Sequence, residues 1–297
     1  MIENNRRAKL VRRVVLTAFI VLAAFWLMPV VWVLLNSFKT NEEFVRSYSG
    51  FEGPWEYLTR IFPEQINFTS YMQLLGLKDG ATVLANFPSM VKNSLVVAVA
   101  QTVTVLIITS LSAYAYERLN FKNGERIFWT LFYISLFPSA VNILSLFRIC
   151  YSLGWVNDIN ALIWPRVTGV LNIFLLRNFL KSVPKEMDEA ARIDGAGSFG
   201  IYRYVILPSI TPVLIVVGLF AFNAAWNDYL WPVIVMNEPS NQTLTSGLRL
   251  LKGQYEYSQW TNLLACCILS MLLPLALYMF AQKYFLQGIS VQAAVKG

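Results

Sequence analysis

Apolar residues in this chain gather into long runs, and polar residues collect in the stretches between them. A helix that crosses a hydrocarbon core of ~30 Å needs roughly 20 mostly apolar residues. Six windows reach that length, at 14–35, 92–116, 127–149, 159–180, 209–231 and 261–285. The pattern predicts an all-α integral membrane protein with six transmembrane helices. Between the helices fall a basic tail at 1–13, a long segment at 36–91, a loop at 182–208, another at 232–260, and a tail at 286–297. The first window follows Arg6, Arg7, Lys9, Arg12 and Arg13, as in a signal peptide. It is longer than the roughly 7–15 residues of a signal h-region, and no small-x-small cleavage site follows. It is therefore read as a helix that stays.

Prolines interrupt the windows at Pro29, Pro138, Pro165, Pro212 and Pro274. Each removes a backbone donor and kinks or breaks a helix unless neighbours satisfy the freed carbonyl. Such breaks line pathways in transporters, and they also occur in helices that only pack.

Composition agrees with the pattern. The 297 residues are 56% hydrophobic and 14% charged, against about 45–50% and about 25% in soluble domains. The net charge of +7 is read by position, because Lys and Arg mark the cytoplasmic side of membrane proteins; no nucleic-acid partner is expected. With the N-terminus inside, fifteen of the 24 basic residues fall on cytoplasmic segments and nine on external ones. Both termini are expected in the cytoplasm of a prokaryote, the chain crossing its inner membrane.

Segment 36–91 is then external. Its turns at 50–54 and 78–80 and its aromatics Phe51, Trp55, Tyr57, Phe62, Phe68 and Tyr71 predict small packed helices. It is either a folded cap or a docking surface for an extracytoplasmic partner.

Absences narrow the chemistry. The chain has no histidine, which removes His-based acid–base work, Ser-His-Asp triads and His-ligated metals. Cys150, Cys266 and Cys267 lie in apolar stretches without a C-x-x-C pair, so they read as small hydrophobic residues. No phosphate-cradling G-x-x-x-x-G-K-[ST] occurs. No catalytic residue, metal or cofactor is expected in this chain.

The loop SVPKEMDEAARIDGAGSFGIYRYVILP, residues 182–208, carries the strongest local signal. Pro184 suits a first turn, and Glu186, Asp188 and Glu189 complement the positive end of a helix. Met187, Ala190 and Ala191 lie at i, i+3 and i+4, which predicts one small apolar face. Asp194-Gly195 ends the helix, because glycine accepts the left-handed geometry of a C-cap. Ser198 is expected to cap a second helix and Pro208 to close the unit before the fifth window. Small residues on one face with charge opposite describe a helix that lies in another protein's groove.

The run Glu189-Ala190-Ala191, then Gly195, then Val205-x-Leu207-Pro208 resembles the EAA loop of ABC-importer permease subunits, with Val205 where the family usually has Ile. NSL at 93–95, SAYAYERLNF at 112–121, NDYLWP at 227–232 and the terminal AAVKG resemble the carbohydrate-uptake class, and within it the smaller permease of the maltose importer. The resemblance implies a type I importer permease fold and a pathway shared with a second permease. It also implies two cytoplasmic ATPase subunits that hold ATP and Mg, and an external sugar-binding protein. Glu189, Ala190, Ala191, Asp194, Gly195, Leu207 and Pro208 would contact the ATPase.

Polar residues inside membrane helices face a neighbour or a cavity. Ser135, Ser139 and Asn142 fall at i, i+4 and i+7 of the third window. Asn223, Trp226 and Asn227 fall at i, i+3 and i+4 of the fifth, with Asp228 alongside. Rings and amides suit sugar contact, and amides and hydroxyls also join membrane helices. Arg166, beside Pro165, either snorkels to the external headgroups or pairs with the carboxylate of an acidic sugar. Two function classes follow: the permease of an importer for an oligosaccharide, neutral or uronate-containing, and a secondary transporter working alone. An intramembrane enzyme lacks its acid–base groups, and a receptor or scaffold leaves the EAA loop unexplained.

Overall fold

In the computed structural model, residues 2–49, 60–78, 86–119, 121–253 and 260–294 are described, and every regular element among them is helical. Phe51, Trp55, Tyr57, the turns at 50–54 and 78–80 and the last three residues of the AAVKG tail lie wholly or partly outside them. The chain divides into two compact units, residues 1–85 with 251–271, and residues 86–250 with 272–297.

The first unit begins with α1 (Ile2–Ser37), which includes Pro29. The most apolar eighteen residues of its Lys9–Ser37 stretch are not buried against the protein, and Phe19, Phe25 and Trp26 stand exposed; only the end of the helix, at Asn36 and Ser37, is covered. A helix apolar all round is stable only in lipid or against other chains. After α1 the chain folds back on the helix end. Thr40 caps α2 (Asn41–Tyr48) by accepting the Glu43 N–H at 3.2 Å. Trp32 meets Phe44 and Tyr48 edge-on, and Tyr48 donates to the Asn36 side-chain carbonyl at 2.9 Å. Short α3 (Thr69–Leu74) places the Tyr71 hydroxyl 2.6 Å from that of Ser37. Phe68 and Tyr71 pack on Phe38, as an aromatic-rich segment of small packed helices would have them do.

The second unit is built on α4 (Phe87–Arg118), which packs along α8 (Val170–Leu180) and α11 (Leu207–Trp226). Gly218 lets α11 approach: a Cβ there would sit 3.3 Å from Leu106. One apolar cluster centres on Tyr114, Phe128, Leu176, Leu180 and Ile206, and another on Val97, Leu162, Trp231 and Val235.

Among the described residues, four helices are long and apolar enough to cross a membrane: Lys9–Ser37, Phe87–Arg118, Ser198–Trp226 and Trp260–Gln282. The other two windows are interrupted, each at its proline. In the third, α5 (Gly124–Ser135) stops before Pro138, a 3-10 turn covers Ser139–Asn142, and α6 (Ile143–Ser152) follows. In the fourth, α7 (Asn160–Ile163) passes through a 3-10 turn at Trp164–Arg166 and resumes as α8. Pro165 has no N–H for the Ala161 carbonyl four residues back. The Trp231 indole donates to that carbonyl at 2.8 Å, and Gln101 donates to the next, Leu162, at 2.6 Å. The freed acceptors thus find buried donors, as a break in a membrane requires.

Pro208 behaves differently from expectation. It does not close the loop: Ser198–Trp226 is one continuous helical stretch, from α10 (Ser198–Ile201) into α11. A π-helical turn at Tyr202–Ile206 absorbs the proline, with the Leu207 N–H reaching back to the Tyr202 carbonyl. Widening the turn moves the Tyr204 carbonyl out of the way of the ring. After α11 come α12 (Leu230–Val235) and α13 (Leu244–Gly253). The last helix, α14 (Trp260–Ala294), contributes its start to the first unit and its remainder to the second.

Candidate functional site

Residues 182–208 form α9 (Glu186–Ile193), a tight turn and then α10. Glu186, Asp188 and Glu189 occupy the first turn of α9, where negative charge is favoured. Its end is a Schellman turn: the Ala196 N–H reaches the Ala191 carbonyl at 2.9 Å, and the Gly195 N–H reaches Arg192 at 3.0 Å. Gly195 has φ +86°, and nothing lies within 4 Å of where its Cβ would be. The glycine is required by backbone geometry and not by crowding. Gly197, not Ser198, is the N-cap of α10, and no side chain caps it.

The apolar face of α9 is not the one its spacing predicts. Ala191 turns inward against the apolar cluster around Leu180 and Ile201. Met187 and Ala190 point outward with Ile193, which is 87% exposed. Glu189 and Asp194 are exposed beside them, as are Phe199 and Tyr204 further along the loop. Leu207 is partly buried and Pro208 exposed. The outer surface therefore carries open apolar side chains among exposed charges of both signs, Glu186, Glu189 and Asp194 with Lys185 and Arg192. Apolar side chains left in the open on an otherwise satisfied loop mark an interaction surface.

The inner side of the loop is held by charge. Arg118, at the end of α4, places Nε 3.2 Å from the Asp188 carboxylate, with side-chain exposures of 2% and 8%. The same guanidinium donates to the Val183 carbonyl at 2.7 Å and the Leu180 carbonyl at 3.3 Å. A second arginine stands nearby on α8. Arg177 pairs with Glu117 at 3.1 Å and with both oxygens of Glu125, and lies over the Phe128 ring at 4.5 Å. Hydrogen bonding to Arg177 holds the Glu125 carboxyl below its usual range. None of these six residues was singled out as a site residue from the sequence, although Glu117 and Arg118 lie in the SAYAYERLNF run. The available signal was a polar position every fourth residue near the end of an apolar helix.

The pathway candidates divide. Asn223 and Asn227 share an exposed face, and the Asn227 amide donates to the Asn223 side-chain and backbone carbonyls at 2.8 and 2.9 Å. Asn223 also lines a cleft of about 220 Å³ with Phe220, Phe222, Pro274, Leu277 and Tyr278. Trp226 does not join that face: it is 3% exposed and stacks on Phe222 at 5.9 Å. Ser135, Ser139 and Asn142 do not form a helix face, because the break at Pro138 separates Ser135 from the turn holding the other two. Asn142 is exposed and makes no side-chain hydrogen bond among the described residues. Arg166 pairs with Asp228 at 3.2 Å, with side-chain exposures of 41% and 12%. The Trp231 backbone N–H also hydrogen-bonds to the Asp228 carboxylate.

Comparisons with known proteins identify the family. Residues 2–291 match the model of the family described as binding-protein-dependent transport system inner membrane component. The chain is 32% identical over 214 residues to the trehalose/maltose transport system permease protein MalG of Thermococcus litoralis, covering 71% of this chain and 77% of that one. It is 31% identical to the sn-glycerol-3-phosphate transport system permease protein UgpE of Yersinia enterocolitica, covering 69% and 73%. Among solved structures, one chain of a bacterial ABC transporter involved in the import of the acidic polysaccharide alginate superposes with a TM-score of 0.77. That match is 22% identical and covers 95% of this chain and 98% of that one, which makes it a likeness of fold. The chain belongs to the binding-protein-dependent transport system inner membrane components, the permease subunits of ABC importers.

Proposed function

We propose that this chain is the permease subunit of an ATP-driven importer for a neutral oligosaccharide. It forms the pathway with a second permease, receives sugar from an external binding protein and is driven by two cytoplasmic ATPase subunits carrying ATP and Mg. The observation that carries this reading is the 182–208 loop. Its outer face leaves Met187, Ala190 and Ile193 open, while its inner face is anchored by a buried ion pair. A loop built only for connection would hide the former and would not need the latter.

In this reading Glu189, Ala190, Asp194 and Gly195 meet the ATPase, and Ala191 secures the helix from behind. The two interrupted windows also cross, which makes six spans with both termini in the cytoplasm, and 36–91 is external. The charge distribution of the chain supports that orientation.

The neutral substrate rests on Asp228. Arg166 already has a carboxylate partner in its own chain, so its charge is balanced before any sugar arrives. Asn223 and Asn227 supply the amides that hydroxyl groups need. An acidic saccharide is the second reading, favoured by the 41% exposure left to Arg166.

The test is to express the chain with its native neighbours, purify it by a tag in mild detergent, and reconstitute it. Co-purification of a second permease and an ATPase pair, with hydrolysis stimulated by a neutral oligosaccharide and its binding protein, is the expected result. Stimulation by uronate-containing sugars alone would overturn the neutral assignment. A chain that purifies by itself and moves solute in liposomes without ATP would make it a secondary transporter.

A further inference from the structure

Three buried polar residues of α4 stand at i, i+4 and i+8: Ser110, Tyr114 and Arg118, at 2%, 5% and 8% exposure. This spacing puts them on one face of the helix. Each is bound to a different part of the 182–208 loop. The Ser110 hydroxyl lies 2.8 Å from that of Tyr202, in the π-helical turn. The Tyr114 hydroxyl donates to the Ser198 carbonyl, at the start of α10, at 2.9 Å. Arg118 pairs with Asp188 on α9 and donates to the carbonyls of Leu180 and Val183 where the loop begins. The Tyr114 and Tyr202 rings pack with centroids 5.5 Å apart.

From this stripe we infer that α4 is the lever the loop drives, with Ser110, Tyr114 and Arg118 as positioning residues that make loop and helix move as one body. The inference rests on the importer reading above. The physical argument is one of alternatives. A surface loop that shifts exchanges its hydrogen bonds for water. Here the partners on α4 are buried, so sliding the loop would take the Tyr114 phenol and the Arg118 guanidinium from their acceptors and the Tyr202 hydroxyl from Ser110, which itself keeps the Ile107 carbonyl at 3.1 Å. Asp188 is the only charged tie between α9 and the rest of the unit among the described residues. A push on the outer face of α9 therefore reaches Arg118 before anything else polar. The push then runs along α4, whose packing against α11 carries it to the helix that bears Asn223 and is capped by Asn227.

The pair also has slack in direction. Arg118 Nε and Nη1 and Asp188 Oδ1 are buried without a hydrogen bond of good geometry. Attraction between the charges holds α9 to α4 without depending on one donor–acceptor angle, so the pair stays engaged under load.

The experiment measures sugar taken up per ATP hydrolysed by the purified complex of this chain with its native partners, in liposomes. Asp188→Asn removes the charge at nearly constant shape. We expect it to assemble, to hydrolyse ATP and to lose uptake per ATP by on the order of tenfold. Asp188→Glu should recover most of that loss. Tyr114→Phe removes one hydrogen bond and should lower the ratio about threefold. A role confined to folding would reduce the yield of complex and leave the ratio in each assembled particle unchanged. A wild-type ratio in Asp188→Asn overturns the proposal. Should that variant fail to assemble, a wild-type ratio in Tyr114→Phe overturns it equally. A wild-type complex that hydrolyses no ATP overturns the importer reading, which separates the two failures.

Discussion

Two arginine–aspartate pairs in this protein have the same 3.2 Å separation and very different surroundings. Arg118 and Asp188 are 2% and 8% exposed, while Arg166 and Asp228 are 41% and 12% exposed. Distance alone would rank them equal. Burial does not, because removing one partner of a buried pair leaves an uncompensated charge and costs about 3–5 kcal/mol. A pair fully open to water contributes about 0–1 kcal/mol, and one with a single open partner, as Arg166 is, lies between these limits because solvent takes over only part of the lost interaction. The first pair is suited to holding a joint through a working cycle. The second is suited to exchange, and lies beside the amides proposed to meet the sugar.

The sharpest test of that contrast is Arg118→Ala. It strands Asp188 and takes donors from two carbonyls, so stability should fall by about 3–5 kcal/mol. The melting temperature of the detergent-solubilised complex would drop by several degrees, and an unchanged value would break the comparison. Gly195→Asp should come next. Open space surrounds the missing Cβ, so the cost is the left-handed backbone, about 1–2 kcal/mol. The complex should still assemble, and ATP hydrolysis should no longer be tied to uptake. Substrate-stimulated hydrolysis at wild-type rate would show that the loop does not need its Schellman turn. Gly195→Asn should fall between wild type and Gly195→Asp, because Asn tolerates positive φ better than most residues.

At the other pair the effects shrink. Arg166→Ala should cost less stability than Arg118→Ala, because Arg166 is 41% exposed and water can reach the site it leaves, and neutral-sugar uptake should stay within about twofold. Its informative partner is Asp228→Asn, which frees the guanidinium. Competition by uronate-containing oligosaccharides should rise in Asp228→Asn relative to wild type, and no change in competition would remove Arg166 from the pathway. The smallest effect concerns Glu125. Its folded carboxyl titrates below the ordinary value of 4.5, so the Arg177 pair stabilises the fold above that pH and the contribution is lost as pH falls through the lower folded value. The side chain is 66% exposed, so salt should weaken the effect. Melting curves of wild type and Glu125→Gln should converge on acidification, and curves that diverge would reverse the sign.

The loop shows how far local pattern reaches. Glu186, Asp188 and Glu189 sit at a helix start, and Gly195 makes the left-handed stop, because both are settled by residues within one turn. The inward face of α9 is not local. Ala190 and Ala191 are chemically the same, and only the cluster around Leu180 and Ile201 selects Ala191 for burial. The same distinction separates Asn223 and Asn227, which share a face as their spacing says, from Trp226, whose ring the core takes instead.

Prolines mark the boundary most clearly. Four identical absences of an N–H within the second unit had three outcomes. The helix breaks at Pro138 and at Pro165, widens into a π turn ahead of Pro208, and continues through Pro212. The chain alone determined the helical class, the apolar windows, the chemistry excluded by the lack of histidine, and the acidic start and glycine stop of the 182–208 loop. Those properties depend on composition and on neighbours a few residues away. Tertiary structure decided which breaks were tolerated and which charges met, because Trp231 reaches Ala161, and Arg118 reaches Asp188, across 70 residues each. A buried donor or charge has to find its partner wherever the packing puts one, and no periodicity along the chain encodes that meeting.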